Sequence, residues 1–232
     1  MPLQTAVIIG ATGLIGSYAV SELLNDDAFG EVIVLVRREF GLKHAKLKAR
    51  VVDFNDMEDY KNKLGTGTAI FSCIGTTQKK VKGDRAAYRK IDFDITVNAA
   101  KLGKDLGFNT FLFVSAIGAN AKAGNFYLKL KGEVEDAVAA VGLNSVHIFQ
   151  PSMLLGNRNE KRFGESVMQG VMKGISFSLA GKLRKYRPVE ALTVAKAMVV
   201  AAKNNIAGKH VYVYDEIIAL AKSNKLPGYS PV

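Results

Sequence analysis

An α/β fold is what the sequence predicts, and three observations carry that prediction. The first is the opening stretch, where Thr5-Ala6-Val7-Ile8-Ile9 forms a short apolar run, β-branched at both ends and closed by Gly10. Such a run reads as a buried strand. It leads through Gly10-Ala11-Thr12-Gly13-Leu14-Ile15-Gly16 into 17–24, which has helical period. The second is recurrence. Apolar runs at 31–36, 49–54, 67–74, 110–114 and 143–149 alternate with helical stretches such as 86–106 and 190–203. The third is composition: 232 residues, 48% hydrophobic and 23% charged, suit one α/β domain with ample core, or one with a small appendage. No repeat, low-complexity segment or linker divides the chain, so 1–232 is read as a single domain.

Strand, glycine turn, helix is the order a dinucleotide site requires. Glycines permit a tight turn, admit a pyrophosphate close to the backbone and let helix pack on strand, while the helix start offers free N–H groups. The spacing here is GxxGxxG, at Gly10, Gly13 and Gly16. An ordinary strand–helix turn is the plainer reading. The second strand ends in Arg37-Arg38, with no carboxylate until Glu39. In a dinucleotide fold an acidic residue at this place binds the ribose 2′-hydroxyl of NAD, whereas arginine accommodates the 2′-phosphate of NADP. The pair therefore reads as a phosphate clamp, or else as a solvated turn. The third strand delivers Asp53 and Phe54 where an adenine would rest; Asp53 also suits the cap of the next helix. Gly75-Thr76-Thr77 follows the fourth strand and lets the chain turn close to a cofactor, and Cys73 just before it reads as a small core residue.

The most polar stretch, Gln78 to Arg85, either faces an anionic substrate or is a solvated loop. The fifth strand ends on Ser115. Tyr127 and Lys131, four positions apart, share one face if 125–135 is helical. The remaining tyrosines lack such a lysine. A strand-end serine followed by this pair is a stronger signal than either part. His147 lies inside the sixth strand and reads as a core histidine. Beyond Pro151 the sequence predicts a helix near 165–179, another at 190–203, a last strand at 209–214 and a terminal helix.

A net charge of +11 raises the question of nucleic acid. The lysines are scattered, with no arginine-rich stretch or aromatic-interleaved basic strand, so no nucleic-acid partner is expected. One cysteine excludes an internal disulfide and a cysteine metal cluster. No apolar run reaches the roughly 18 residues of a membrane span, and no leader pattern is read, so a soluble, cytoplasmic protein is expected.

Gly10-Ala11-Thr12-Gly13-Leu14-Ile15-Gly16, Ser115, Tyr127 with Lys131, and the Gln150-Pro151-Ser152 turn together resemble the atypical or extended short-chain dehydrogenase/reductases of epimerase-like kind. Leu35-Val36-Arg37-Arg38, Cys73-Ile74-Gly75-Thr76-Thr77, Asn125-Phe126-Tyr127-Leu128, Lys131-Gly132-Glu133-Val134-Glu135 and Leu154-Leu155-Gly156-Asn157-Arg158 narrow the resemblance to the HIV Tat-interacting-protein-like (CC3-like) oxidoreductases. The resemblance implies an NAD(P)-binding Rossmann fold. Its doubly wound, mainly parallel seven-stranded sheet would carry a short C-terminal substrate-side lobe, formed mainly by 151–190 and 215–232. It implies NADP(H) held by Thr12, Gly13, Leu14, Ile15, Arg37, Arg38, Ile74, Gly75, Tyr127 and Lys131, with Leu154 and Arg162 further on; the candidate cofactor set also takes in Gly10 and Gly16 of the glycine turn, Asp53, Phe54 and Pro151. It also implies hydride transfer to or from a small carbonyl or alcohol. Tyr127 would serve as general acid/base, Ser115 would hold the reacting oxygen, and Lys131 would lower the tyrosine pKa and bind the ribose. Free tyrosine titrates near about 10, so a neighbouring cation is what makes it useful at neutrality. Three residues depart from the pattern: Gln150 where relatives often have arginine, Gln78 for a basic residue, and Asp92 where an asparagine often organises a relay water. Two other functions fit the same motifs: a non-catalytic NADP(H)-binding sensor, and a nucleoside-diphosphate-sugar epimerase-like enzyme. The oligomeric state is not read from the sequence.

Overall fold

The computed structural model describes residues 3–156, 181–204 and 206–223. Strands β1 (Gln4–Ile9), β2 (Phe29–Val36), β3 (Leu47–Val51), β4 (Ala69–Ser72), β5 (Thr110–Val114), β6 (Ser145–Phe149) and β9 (Gly208–Tyr212) form one seven-stranded sheet, in the order β3-β2-β1-β4-β5-β6-β9. Every pairing is parallel, so the "mainly parallel" sheet expected is wholly so. Parallel strands need both faces covered, which is why they read as continuous apolar runs.

Alternate residues feed two cores. Ala6, Ile8, Val32, Val34, Phe71, Leu112 and Phe149 face α1 (Leu14–Asn25), α6 (Ala191–Asn204) and α7 (Tyr214–Lys222). Val7, Ile9, Ile33, Leu35, Ile70, Phe111, Phe113 and Ile148 face α2 (Met57–Leu64), α4 (Ile95–Asp105) and α5 (Phe126–Val141). That alternation is the period-two signature of strands. Within 215–232, residues up to Lys222 form α7, whose Ile217 and Leu220 are fully buried in the first core. The helix expected at 165–179, and Arg158, Lys161 and Arg162, lie outside the described residues.

Two local features differ from the sequence reading. The long helix over 86–106 is composite: α3 (Arg85–Arg89) runs through a π turn (Lys90–Asp94) into α4. Asp84 caps it, accepting from the N–H groups of Ala86 and Ala87. A short parallel pair, β7 (Leu154–Leu155) with β8 (Val189–Glu190), goes unread in the sequence, and Glu190, expected to start a helix, ends β8 instead. Two-residue strands are too short to register as alternation.

The chain adds β2 and β3 on one side of β1, then crosses to β4 on the other. In open α/β sheets ligands bind at that reversal, beyond the carboxyl ends of the strands. The turns after β1 and β4 both lie there, tied by the Cys73 N–H donating to the Ile9 carbonyl at 2.8 Å.

Candidate functional site

The chain leaves β1 through Gly10, at φ +84°. A β-carbon there would stand 2.7 Å from the Cys73 backbone, and one at Gly16 only 2.1 Å from the Gly10 carbonyl oxygen. These two glycines therefore press α1 onto the turn it springs from. Gly13 occupies the N-cap and brings no side chain to its helix. The first-turn N–H groups of Leu14, Ile15 and Gly16 are thus left to an outside acceptor, at the positive end of the helix dipole. Thr12 is exposed beside them, while the Ile15 side chain is in the core and leaves only its backbone to the site. Such a cradle suits a pyrophosphate.

At the ends of β2 and β3 a cavity of about 580 Å³ is lined by Arg37, Asp53, Phe54, Asn55, Lys90 and Asn98, among others. Arg37, Asp53 and Phe54 thus meet in one place, as the sequence reading required of an adenosine end. Arg38 is exposed and does not line it. Asp53 does not cap α2. Its carboxylate accepts from the backbone and amide of Asn55, and Asp56 takes the cap, accepting from the N–H groups of Glu58 and Asp59. Asp53 stands four positions before Met57, the first helical residue, whereas a cap stands one before it, so Asp56 is the residue in reach.

Beyond β4, Ile74 packs on the second core and Gly75 is exposed. Asp92, 1% exposed on the π turn, ties this bend to α5. One of its oxygens accepts from the Thr76 N–H at 2.8 Å, and the other pairs with the Lys131 ammonium at 3.1 Å. Lys131 is itself buried. Asn125 starts α5, accepting from the N–H groups of Tyr127 and Leu128, and the helix then presents Tyr127 and Lys131 together. The ammonium sits 6.0 Å from the tyrosine ring centroid, and Tyr127 is 36% exposed, open to an incoming molecule. Tyr88 packs edge-on against Tyr127 and donates its hydroxyl to the Thr76 carbonyl.

Ser115 is buried at the end of β5. Its hydroxyl donates to Glu135 rather than to the tyrosine, and Gln150 donates to both oxygens of the same carboxylate. Sequence reasoning missed Glu135. A signal existed, because Glu135 follows Lys131 by four positions and so shares its face. Burial pushes this carboxyl above its usual range, against the bonds from Ser115 and Gln150, which pull it down. Cys73 is confirmed as a packed thiol, its pKa pushed up to about 12 by burial. The polar stretch after Thr77 is exposed but closed on itself by backbone bonds, such as Gly83 N–H to the Gln78 carbonyl. Pro151 is buried, with its carbonyl accepting from Ile117, and Leu154 is half-buried against the first core. Among the described residues no group of three or more His, Cys, Asp or Glu could hold a metal ion, and no helix is long and apolar enough to cross a membrane.

Known proteins share this architecture. Protein FMP52, mitochondrial, of Candida albicans is 30% identical over 230 residues, covering 95% of this chain and 99% of that protein. Protein HTATIP2 of Rattus norvegicus is 29% identical over 201 residues, covering 85% of this chain and 81% of its own. The resemblance to the Tat-interacting-protein-like group therefore holds. Among solved structures, the Bordetella bronchiseptica enzyme WbmH in complex with NAD+ matches at TM-score 0.70 and 16% identity, over 99% of this chain and 84% of that one. MoeE5 in complex with UDP-glucose and NAD matches at TM-score 0.68 and 15% identity, over 94% and 80%. Both show the fold. The relatives named mitochondrial correct one expectation, the cytoplasmic location read from the lack of a membrane span and of a leader pattern. Neither absence gives the address a receptor reads. A glycine cradle at the sheet's switch point, an arginine-lined cavity beside it and a family model for NAD(P)H-binding that matches residues 10–205 agree: the chain belongs to the NAD(P)H-binding family.

Proposed function

We propose that the protein is an NADP(H)-dependent oxidoreductase of the short-chain class, acting on a small carbonyl or alcohol. The observation that carries this reading is the pairing on α5: an accessible Tyr127 beside a buried Lys131, on the far side of the switch point from Arg37. When bound, NADP(H) supplies the hydride, and the protein supplies position and protons. The α1 N-terminus with Gly10, Thr12, Gly13, Leu14, Ile15 and Gly16 would hold the pyrophosphate. Arg37, with Arg38, would hold the 2′-phosphate, and Asp53 and Phe54 the adenosine. Ile74, Gly75, Pro151 and Leu154 would line the nicotinamide side, where Lys131 reaches the ribose. Tyr127 gives or takes the proton on the reacting oxygen, and Ser115 orients that oxygen.

A non-catalytic sensor is the second reading, and one observation favours it. Both helpers are engaged within the protein, Ser115 by Glu135 and Lys131 by Asp92. An epimerase-like role has the neighbours' fold alone behind it. The test is NADPH oxidation against a carbonyl panel including benzaldehyde, cyclohexanone and phenanthrenequinone. Turnover is expected, with Tyr127→Phe losing at least about 100-fold in kcat while NADPH affinity stays within a few-fold. Turnover that survives Tyr127→Phe refutes the mechanism. Tight NADPH binding with no turnover selects the sensor.

A further inference from the structure

Glu135 is 7% exposed, one helical turn past Lys131, at the ends of β5 and β6. Its carboxylate accepts the Ser115 hydroxyl and the Gln150 amide, the latter at 2.9 and 3.0 Å. Neither partner carries a charge. Burial raises its pKa, and this outweighs those two bonds together with the pull of Lys209 from β9; Asp136, its neighbour on α5, raises it too. Lys131 is paired with Asp92. The carboxyl thus stands among groups that hold it by hydrogen bonds rather than by an adjacent cation.

A serine hydroxyl has one proton and two lone pairs. While Glu135 is ionised, the Ser115 proton is committed to it, and Ser115 offers the site only an acceptor. An alcohol can donate to that acceptor, whereas a carbonyl oxygen finds no donor in Ser115 and keeps only Tyr127. Once Glu135 is protonated, its own O–H donates to Ser115 Oγ, and the serine proton is released to point outward. The proton moves only between solvent and Glu135, so no other atom balance changes.

We propose that Glu135 is a positioning residue that sets the direction of the Ser115 hydroxyl through the Ser115–Glu135–Gln150 hydrogen-bond chain, proton outward for a carbonyl and lone pair outward for an alcohol. This rests on the oxidoreductase reading, in which Ser115 orients the reacting oxygen. It makes reduction the acid-side reaction and oxidation the alkaline-side one.

Carbon-13 NMR titration of the side-chain carboxyls of the full chain tests the first half, with the Glu135 signal assigned by its loss in Glu135→Gln. Its midpoint is expected above the free glutamate value of about 4.3. It should rise further in Ser115→Ala and in Gln150→Leu, since each removes a bond to the ionised form. In the same buffers, NADPH-dependent reduction across the carbonyl panel tests the second half. Wild-type kcat is expected to fall about tenfold per pH unit above that midpoint. Glu135→Gln keeps the shape, accepts from Gln150 and donates to Ser115, so it should hold the acid-side rate and flatten the profile. An ordinary midpoint, or one indifferent to Ser115→Ala, overturns the hydrogen-bond chain whatever the activity. A raised and coupled midpoint overturns the gate if wild-type reduction ignores it, or if Glu135→Gln still bends at the same pH. No reduction of any panel carbonyl, with the midpoint raised and coupled, overturns the oxidoreductase reading and the gate with it.

Discussion

Arg37 lines the adenosine-side cavity with Asp53 and Phe54, and Arg38 does not, although the two are adjacent in the chain. On the NADP(H) reading proposed above, a guanidinium lining that cavity would form charge-assisted bonds to a 2′-phosphate, worth about 1.5–3 kcal/mol. Arg37→Ala is therefore expected to cut NADPH affinity at least about tenfold and leave NADH affinity nearly unchanged, with Arg38→Ala costing less. Calorimetric titration of both cofactors checks it, and equal wild-type affinities would sink the phosphate reading. Arg37, Tyr127 and Lys131 were legible because each stands at a fixed offset from a strand end or from another motif residue. Glu135 was legible by its four-residue offset from Lys131 and went unread, whereas the partner of Lys131 was not legible. Which carboxylate reaches Lys131 depends on the π turn that swings Asp92 beneath α5, and the sequence carries no period for a single widened turn.

At the scale of elements, the turn between β1 and α1 holds the site's geometry through what it lacks. The β-carbon of an alanine at Gly16 would sit 2.1 Å from the Gly10 carbonyl oxygen, and that neighbour is backbone with nowhere to go. Gly16→Ala should then destabilise the fold by at least about 2 kcal/mol, as overpacking does, and weaken NADPH binding in step. Gly41→Ala is the control: nothing lies within 4 Å of its β-carbon and its φ is not positive, so stability should hold or rise slightly. Urea denaturation of both variants reads the difference, and a Gly16→Ala protein as stable as wild type would refute the packing argument. The same contact explains why the opening motif was readable in the sequence. Gly10 and Gly16 each answer to a backbone atom closer than a β-carbon can approach, so their spacing is set by geometry that no other residue type satisfies. Pairs such as β7 and β8 answer to nothing local, since their partners lie far apart in the chain.

Across the whole molecule, the sheet closes on β9, and a buried polar chain fastens that last strand to β6. His147 is fully buried; its Nε2 lies 2.8 Å from the Ser145 hydroxyl and its Nδ1 2.8 Å from the Tyr212 hydroxyl. Ser145 donates to the Ile206 carbonyl at 2.6 Å, so its lone pair must receive the Nε2 proton. Nδ1 is then the acceptor for Tyr212, which fixes a neutral tautomer with every group satisfied. A proton on Nδ1 would turn Tyr212 from donor to acceptor and take from its hydroxyl proton the one partner seen here, at a buried site stacked against His210. Burial first, and the His210 charge second, accordingly hold the His147 pKa down at about 3. The unfolded chain binds this proton near the free value of about 6.5, so between those two values it holds more protons than the fold. Stability from this group is complete above the unfolded value and drains away as pH falls, by up to about 1.4 kcal/mol per pH unit. Wild-type urea midpoints should therefore drop between pH 6.5 and 4, and His147→Gln, less stable at pH 7, should show a shallower acid slope. The comparison of slopes removes the contributions of Glu135 and other carboxyls, which the two proteins share. Parallel slopes would mean that His147 binds its proton in the fold as readily as in the unfolded chain, and would refute the neutral tautomer that the Ser145–His147–Tyr212 chain requires.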